Sequence, residues 1–337
     1  MMAASAYTRW NSYRDYLVAG YGEPVWRVGV DAGFSCPNRN PDRSGGCCYC
    51  DGTGASAAYQ RTKESAWYHD SPFMERIASG PSCGPPAALS ERLESISRQV
   101  EHGRAFLRRR YDARLMSLYL QAWTNTFAPI EELRTIYDAA LSMGSWKEFI
   151  VSTRPDCVPE PVVDLLASYQ GVVDRVWVEL GLQSASDRTL ERIGRGHDVS
   201  CFHDAAERLR RRGIGVCAHV ILGLPGDDYD AFSLTASTIN ASGCEAVKIH
   251  NLHIPGGTRL YDSYLKGEVS CPSVRRHIED TIYLLRRLRS DIVIERLVCE
   301  TPAHRLAAPR DFADKSRFLA LLHRTMVERD VRQGDMA

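Results

Sequence analysis

The sequence predicts an α/β protein: a partial (β/α) barrel of about six parallel strands with N- and C-terminal helical extensions. Three observations predict it. Short β-branched runs alternate with helical stretches that carry clear start and stop signals, the pattern of crossovers in a parallel sheet. Several of those runs end in or near polar residues, namely Asp31, Gln121, Thr153, Glu179 and His250. Barrel enzymes place their chemistry at that end of the strands. The chain has 337 residues, enough for one barrel of roughly 250 residues plus extensions. A doubly wound sheet shares the alternation, and the polar strand ends tip the choice towards the barrel.

Residues 1–24 are expected to form the N-terminal extension, 25–300 the barrel and 301–337 the C-terminal extension. The candidate strands are Val25–Asp31, Leu115–Gln121, Glu148–Thr153, Arg175–Leu180, Gly215–Leu222, Ala246–His250 and Asp291–Leu297. Between them, Pro129 starts a helix with Glu131 and Glu132 in its first turn, and Gly144 follows its end. Ser200 is the expected cap of a helix whose apolar face is Phe202, Ala205, Ala206 and Leu209, closed by Gly213. A third helix runs from about Asp228 to Ser242 and stops at Gly243. The Pro/Gly/Ser-rich stretch at about 65–86 reads as a mobile insertion between the first strand and its helix. One or two helices are expected from Asp311 onward.

Composition excludes whole classes. Lys and Arg total 42 against 42 Asp and Glu, with 44% hydrophobic and 25% charged residues. That is an ordinary folded protein with ample core, not a disordered chain, a collagen or a coiled-coil rod. No window approaches the roughly 18 apolar residues of a membrane span. The opening MMAASAYTRWNSY has neither a basic nor an apolar signal region, so the expected location is cytoplasmic. Basic stretches occur at Arg104–Arg114, Arg208–Arg212 and Arg286–Arg289. RNA is a possible partner for them if they share one surface.

The cysteines are distributed unevenly. There are 11, an odd number without an export signal, which argues against a disulfide framework. Seven, Cys299 among them, are scattered from Cys83 onward and read as small hydrophobes. The other four crowd into DAGFSCPNRNPDRSGGCCYC, where ten residues separate Cys36 from Cys47 and two separate Cys47 from Cys50. Two prolines, two asparagines and Gly45–Gly46 make the run a loop. Three thiolates suit a [4Fe–4S] cluster with one iron left for a cofactor or substrate. A zinc site or a redox dithiol is the alternative, although structural zinc usually takes four ligands and no second CxxC or HxxxH is present. Cys48 is expected to point away from its neighbours.

A first strand ending in a three-cysteine loop, ahead of a run of β/α units, resembles the radical S-adenosylmethionine (SAM) superfamily. The long spacing and the segment WVELGLQSASDRTLERIGRGH are similar to the catalytic subunit of elongator. Over nearly the whole chain, the blocks VDAGFSCPNRN, LQAWTNT, TRPDCVP, WVELGLQ, RGHD, HVILGLPGDD and KIHNLH resemble the YhcC-like radical SAM proteins. The resemblance implies that Cys36, Cys47 and Cys50 hold a [4Fe–4S] cluster whose fourth iron takes the amino and carboxylate groups of SAM. Reductive cleavage of SAM would then give a 5′-deoxyadenosyl radical, with the electron coming from a reducing protein such as flavodoxin or ferredoxin. The alternatives are a tRNA-modifying enzyme related to elongator and a non-catalytic iron–sulfur or zinc sensor. The former is weakened because about forty residues after the last strand are too few for an acetyltransferase domain.

The same resemblance puts Tyr49 against the adenine. Gln121 and Asn125 stand where the superfamily usually has a Gly-Gly-Glu segment gripping the SAM amine; their amide oxygens could accept from an ammonium. Thr153 and Asp156 could reach the ribose or the methionine end, or Asp156 could cap the turn after Pro155. Glu179 is expected to face the lumen as a ligand contact or to pair with an arginine. Gln183 follows on the same loop. Gly223 and Gly226 would admit close backbone approach to the nucleoside, or simply form a tight turn. His219, His250, His253 and Arg296 are candidate substrate contacts, with a core role open for His219 and a salt bridge to Glu179 or Glu245 open for Arg296. The His250 and His253 side chains should point in unlike directions, which disfavours a metal pair.

Overall fold

The β-branched runs pair side by side in chain order. In the computed structural model, which describes residues 9–40, 45–51, 58–60, 88–301 and 305–337, seven of them form one all-parallel sheet. These are β1 (Val25–Val30), β2 (Leu115–Leu120), β3 (Glu148–Thr153), β4 (Arg175–Gln183), β5 (Gly215–Leu222), β6 (Ala246–Asn251) and β8 (Val293–Arg296). The sheet curls into an open half-barrel with β1 at one edge and β8 at the other. A short antiparallel pair, β7 (Ile254–Pro255) and β9 (Leu306–Ala308), lies outside it. The stretch 65–86 and residues 41–44 of the cysteine loop lie outside the described residues.

Helices α1 (Tyr13–Tyr21), α2 (Leu89–Tyr111), α3 (Ile130–Ser142), α4 (Glu160–Ala167), α5 (Asp187–Arg192), α6 (Val199–Arg211), α7 (Tyr229–Ala241), α8 (Arg259–Leu265), α9 (Val274–Arg287) and α10 (Lys315–Glu328) complete the chain. The cap of α6 is Asp198, not Ser200: its carboxylate accepts from the Cys201 N–H at 2.8 Å. Asp is as good a cap as Ser, and the earlier start adds Val199 and Ser200 to the helix. β4 runs three residues beyond the expected Leu180, so Glu179 sits in mid-strand.

Side chains alternate across each strand and sort by polarity. Outward residues such as Val28, Leu118, Val178 and Val220 pack with Ile96, Leu133, Phe202 and Phe232 of the surrounding helices in the main core. Inward positions hold Arg27, Tyr119, Glu148, Glu179 and Lys248. At the N-terminal end of the strands α1 closes the lumen, where Tyr13 donates to buried Glu148 at 2.6 Å and Trp177 Nε1 donates to the same carboxylate at 3.2 Å. The chain before α1 also protects the open edge, because Ile294 of β8 donates its N–H to the Asn11 carbonyl at 2.7 Å.

His277 on α9 illustrates the cost of a buried imidazole. Its Nε2 lies 3.0 Å from the Leu297 carbonyl, and the rings of Phe312 and Phe318 pack against it. Burial pushes its pKa from the ordinary 6.5 down to about 4. The unfolded chain takes a proton as pH falls through 6.5 while the folded chain resists, so stability held above that pH is lost on acidification. Between pH 7 and pH 5 this one group should remove about 2 kcal/mol. Urea unfolding at both pH values should show a smaller loss for His277→Gln than for the parent; equal losses would sink the assignment.

Candidate functional site

The cysteine loop lies at the C-terminal end of the strands and is tied down on several sides. The Ser35 carbonyl accepts from Thr124 after β2. The Cys48 N–H donates to the Ile193 carbonyl at 2.8 Å, and the Cys48 carbonyl accepts from Leu260 of α8 at 2.9 Å. Arg39 reaches across the loop to the carbonyls of Cys50 and Asp51, at 2.6 and 2.8 Å. Gly46, at φ +86°, allows this crossing, since a Cβ there would lie 2.9 Å from Arg39 Nε. Cys48 and Tyr49 pack into a second apolar cluster with Leu190, Ile193, Leu224 and Leu252.

The sulfurs sit among cations. Cys47 Sγ accepts from Asn38 Nδ2 at 3.5 Å and from Arg195 Nη1 at 3.7 Å. Burial raises its pKa, but Arg195, Arg154 and the Tyr49 hydroxyl outweigh that and hold it below the ordinary thiol value. Burial pushes the Cys50 thiol up to about 11, with Arg39 opposing. Burial, aided by the neighbouring Cys47, also pushes Cys48 up to about 11, with Arg259 and Arg192 opposing. Arg195 crosses the end of β4 to donate to the Gly181 carbonyl at 2.7 Å. Only glycine permits that passage, because a Cβ would lie 2.5 Å from Arg195 Nη2. Immediately beyond, the ladder slips and Gln183 takes the left-handed φ of +71°, a conformation non-glycine residues hold only where the surroundings enforce it.

Several buried polar atoms near these strand ends have no hydrogen-bond partner among the described residues: Arg195 Nε, Arg154 Nη1, Gln183 Oε1, Gln121 Nε2 and Asn125 Oδ1. Native interiors rarely leave such atoms unpaired, so their concentration marks a place for a polar ligand. Arg154 grips Asp156 with two bonds of 2.8 Å. Burial raises the Asp156 carboxyl, but Arg154 outweighs it and keeps the group ionised. Asn125 spends its amide nitrogen on the carbonyls of Leu120 and Ser152 at 3.2 and 2.9 Å. Thr153 shares a 2.5 Å hydroxyl contact with Thr126.

Deeper in the lumen lies a charge network. Glu179 accepts from Lys248 at 2.7 Å, Arg27 at 2.9 Å and the Tyr119 hydroxyl at 2.6 Å. Arg27 also meets Glu295 at 2.9 Å. Glu179 thus faces the lumen and pairs there with Arg27 and Lys248, the pairing alternative. Above it, His219 and His250 meet edge to face at 4.1 Å, and Arg296 donates to His250 Nε2 at 3.2 Å. Burial keeps both imidazoles neutral, His219 down to about 3. Arg296 thus engages a histidine, while Glu245 pairs with Arg175. His253 faces Cys299. Gly223 lies against Pro272, whose Cγ would be 2.3 Å from a Cβ there, and Gly226 lies near Arg192.

Some residues in the site escaped the sequence reading. Arg195 stands between two glycines in IGRGH, and Arg154 lies in STRPD. Lys248 and Arg27, like Glu179, are charges inside apolar strands, and that shared signal could have found them. Cys299 had no signal of its own.

An open parallel half-barrel with a cysteine loop at its C-terminal mouth defines a class, and the comparisons agree with it. Residues 44–239 match the Radical SAM superfamily model and residues 244–328 the Radical SAM C-terminal domain. The chain belongs to the radical SAM superfamily, in the family of protein YhcC of Escherichia coli K12, to which it is 31% identical over 89% of this chain and 86% of that protein. Protein MJ0486 of Methanocaldococcus jannaschii is 30% identical over 96% of this chain and 90% of its own length. In three dimensions the chain is similar to an archaeal Elp3 from Methanocaldococcus infernus, with a TM-score of 0.64 and 20% identity. That alignment covers 73% of this chain and 62% of that one.

Proposed function

We propose that the chain binds a [4Fe–4S] cluster through Cys36, Cys47 and Cys50 and cleaves SAM reductively, acting on a substrate held in the half-barrel lumen. The setting of Cys47 carries this reading. Its sulfur accepts from Asn38 and Arg195, and the nearby Arg154 adds positive charge, so the thiolate that ligates iron is favoured. A single zinc ion needs its ligands about 2.3 Å from one point. A [4Fe–4S] cubane takes one thiolate per iron, so three cysteines leave one iron for SAM.

When bound, the cluster and SAM would supply a carbon radical by one-electron cleavage of the sulfonium. The chain's own residues would bind, orient and exclude water. Gln121 Nε2, Asn125 Oδ1, Gln183 Oε1 and the free nitrogens of Arg154 and Arg195 offer both donors and acceptors, which suits the amino-acid end of SAM. Tyr49, packed beside the last cluster cysteine, would lie against the adenine. A one-electron carrier such as flavodoxin or ferredoxin is the expected partner. An RNA partner draws less support: Arg211, Arg212, Arg286 and Arg289, at the ends of two separate helices, pair with Glu207, Asp164, Asp335 and Asp291. Among the described residues no helix is long and apolar enough to cross a membrane.

Anaerobic reconstitution with iron and sulfide, followed by reduction in the presence of SAM, tests the proposal. Chromatography should show 5′-deoxyadenosine accumulating. Iron-loaded protein that leaves SAM intact would overturn the enzymatic reading, and binding of one zinc without sulfide would overturn the cluster.

A further inference from the structure

A second pair of reactive side chains stands at the mouth of the half-barrel, away from the cysteine loop. His253 follows β6 and Cys299 follows β8, and these neighbouring strands bring Nδ1 of the one to 3.1 Å from Sγ of the other. Asn251, the last residue of β6, anchors the thiol from below. Its Oδ1 accepts from the Cys299 N–H at 3.0 Å and lies 3.4 Å from the sulfur. Both residues keep some solvent exposure, while the thiol and the imidazole themselves are largely buried. The charged and titratable groups facing the pair are Arg296 near the thiol, Asp51 and Arg305 near the imidazole, and neutral His250. Among the described residues Arg296 makes one hydrogen bond, to His250, and a guanidinium carries further donors that could meet an anion.

We propose that Cys299 is a nucleophile for a small anionic carbonyl compound, with His253 as its proton partner and Arg296 as the group that receives the anion. The charges support this. Burial alone would raise the thiol, but the adjacent imidazolium outweighs it and brings Cys299 below the ordinary value; His253 is raised in turn by Cys299 and Asp51 against its own burial. The thiolate adds to the carbonyl carbon and forms a C–S bond. The carbonyl electron pair moves to oxygen, which takes the proton from His253 Nδ1. The product is a thiohemiacetal that keeps the anionic group on Arg296, beside a neutral imidazole, with no leaving group, oxidant or reductant involved. The assignment of this mouth as the substrate's side of the lumen rests on the function proposed above, whereas the thiol chemistry requires neither cluster nor SAM.

The test is site-resolved alkylation of the full chain with iodoacetamide, read by mass spectrometry from pH 5 to pH 9, with glyoxylate as the anionic carbonyl probe. At pH 7, Cys299 should react about tenfold faster than Cys201 or Cys271, whose thiols burial pushes up, the latter to about 12. Glyoxylate should slow Cys299 selectively, and Arg296→Met should weaken that protection. His253→Gln should move the pH midpoint of Cys299 upward. The unsubstituted chain decides the matter even if a variant misfolds: Cys299 reacting no faster than Cys201, or indifferent to glyoxylate, overturns the proposal. Such a failure with 5′-deoxyadenosine still formed removes the thiol site alone. Rapid, protected Cys299 in a chain that leaves SAM intact keeps the thiol site and removes the radical reading.

Discussion

Glu179→Leu is expected to destabilise the fold by about 3–5 kcal/mol, measured as a lower urea midpoint, because it leaves Lys248 and Arg27 without the carboxylate they share. Lys248 lies deep in the lumen, and its other hydrogen bond among the described residues goes to the Tyr119 hydroxyl at 2.8 Å. Arg27 retains Glu295. Burial opposes the Glu179 charge, but Lys248 and Arg27 outweigh it and hold the carboxyl well below the usual range. Burial and the Glu179 charge raise Glu295 against the pull of Arg27, whereas Glu179 is held down. A depressed carboxyl stabilises the folded chain above its unfolded value of about 4.5 and loses that contribution as pH falls below it. The double variant Glu179→Leu with Lys248→Met should recover part of the loss, since a removed pair costs less than a broken one. A single-variant loss under about 1 kcal/mol would mean that water screens the network.

Cys47→Ala should abolish cluster binding and SAM cleavage together, with iron falling from about four per chain to background. Cys47 is the cysteine whose sulfur receives both Asn38 and Arg195. Cys48→Ala is the matched control, because Cys48 packs among apolar side chains and its loop contacts run through the backbone. Its iron content and 5′-deoxyadenosine yield should match the parent's. Iron retained by Cys47→Ala but lost from Cys48→Ala would reverse the ligand assignment.

Much of the fold was legible because strand and helix periods are local properties. β3 and β5 lie where the β-branched runs end, and Pro129, Gly213 and Asp228 mark real helix boundaries. β4 was harder. Its last residues, Gly181 to Gln183, carry weak strand character and owe their conformation to the slip against β5 and to Arg195 lying across them. Residues 65–86 lie outside the described structure. Within the site, the cysteine spacing stood out in the sequence because thiols crowded into a glycine-bearing loop seldom serve anything but metal ligation or redox chemistry. The arginines around them did not, since Arg195 reaches Cys47 from 148 positions away.

The sequence by itself determined the element order, the parallel alternation and the cysteine triplet, all of which depend on neighbours within a few positions. Tertiary structure alone decided what the isolated charges and the seventh scattered cysteine meet. Arg27, Glu179 and Lys248 become one network, and His253 and Cys299 one pair, only when strand register sets distant positions side by side. Electrostatic and hydrogen-bond energies fall off steeply over a few ångströms of space, a distance that separation along the chain does not measure.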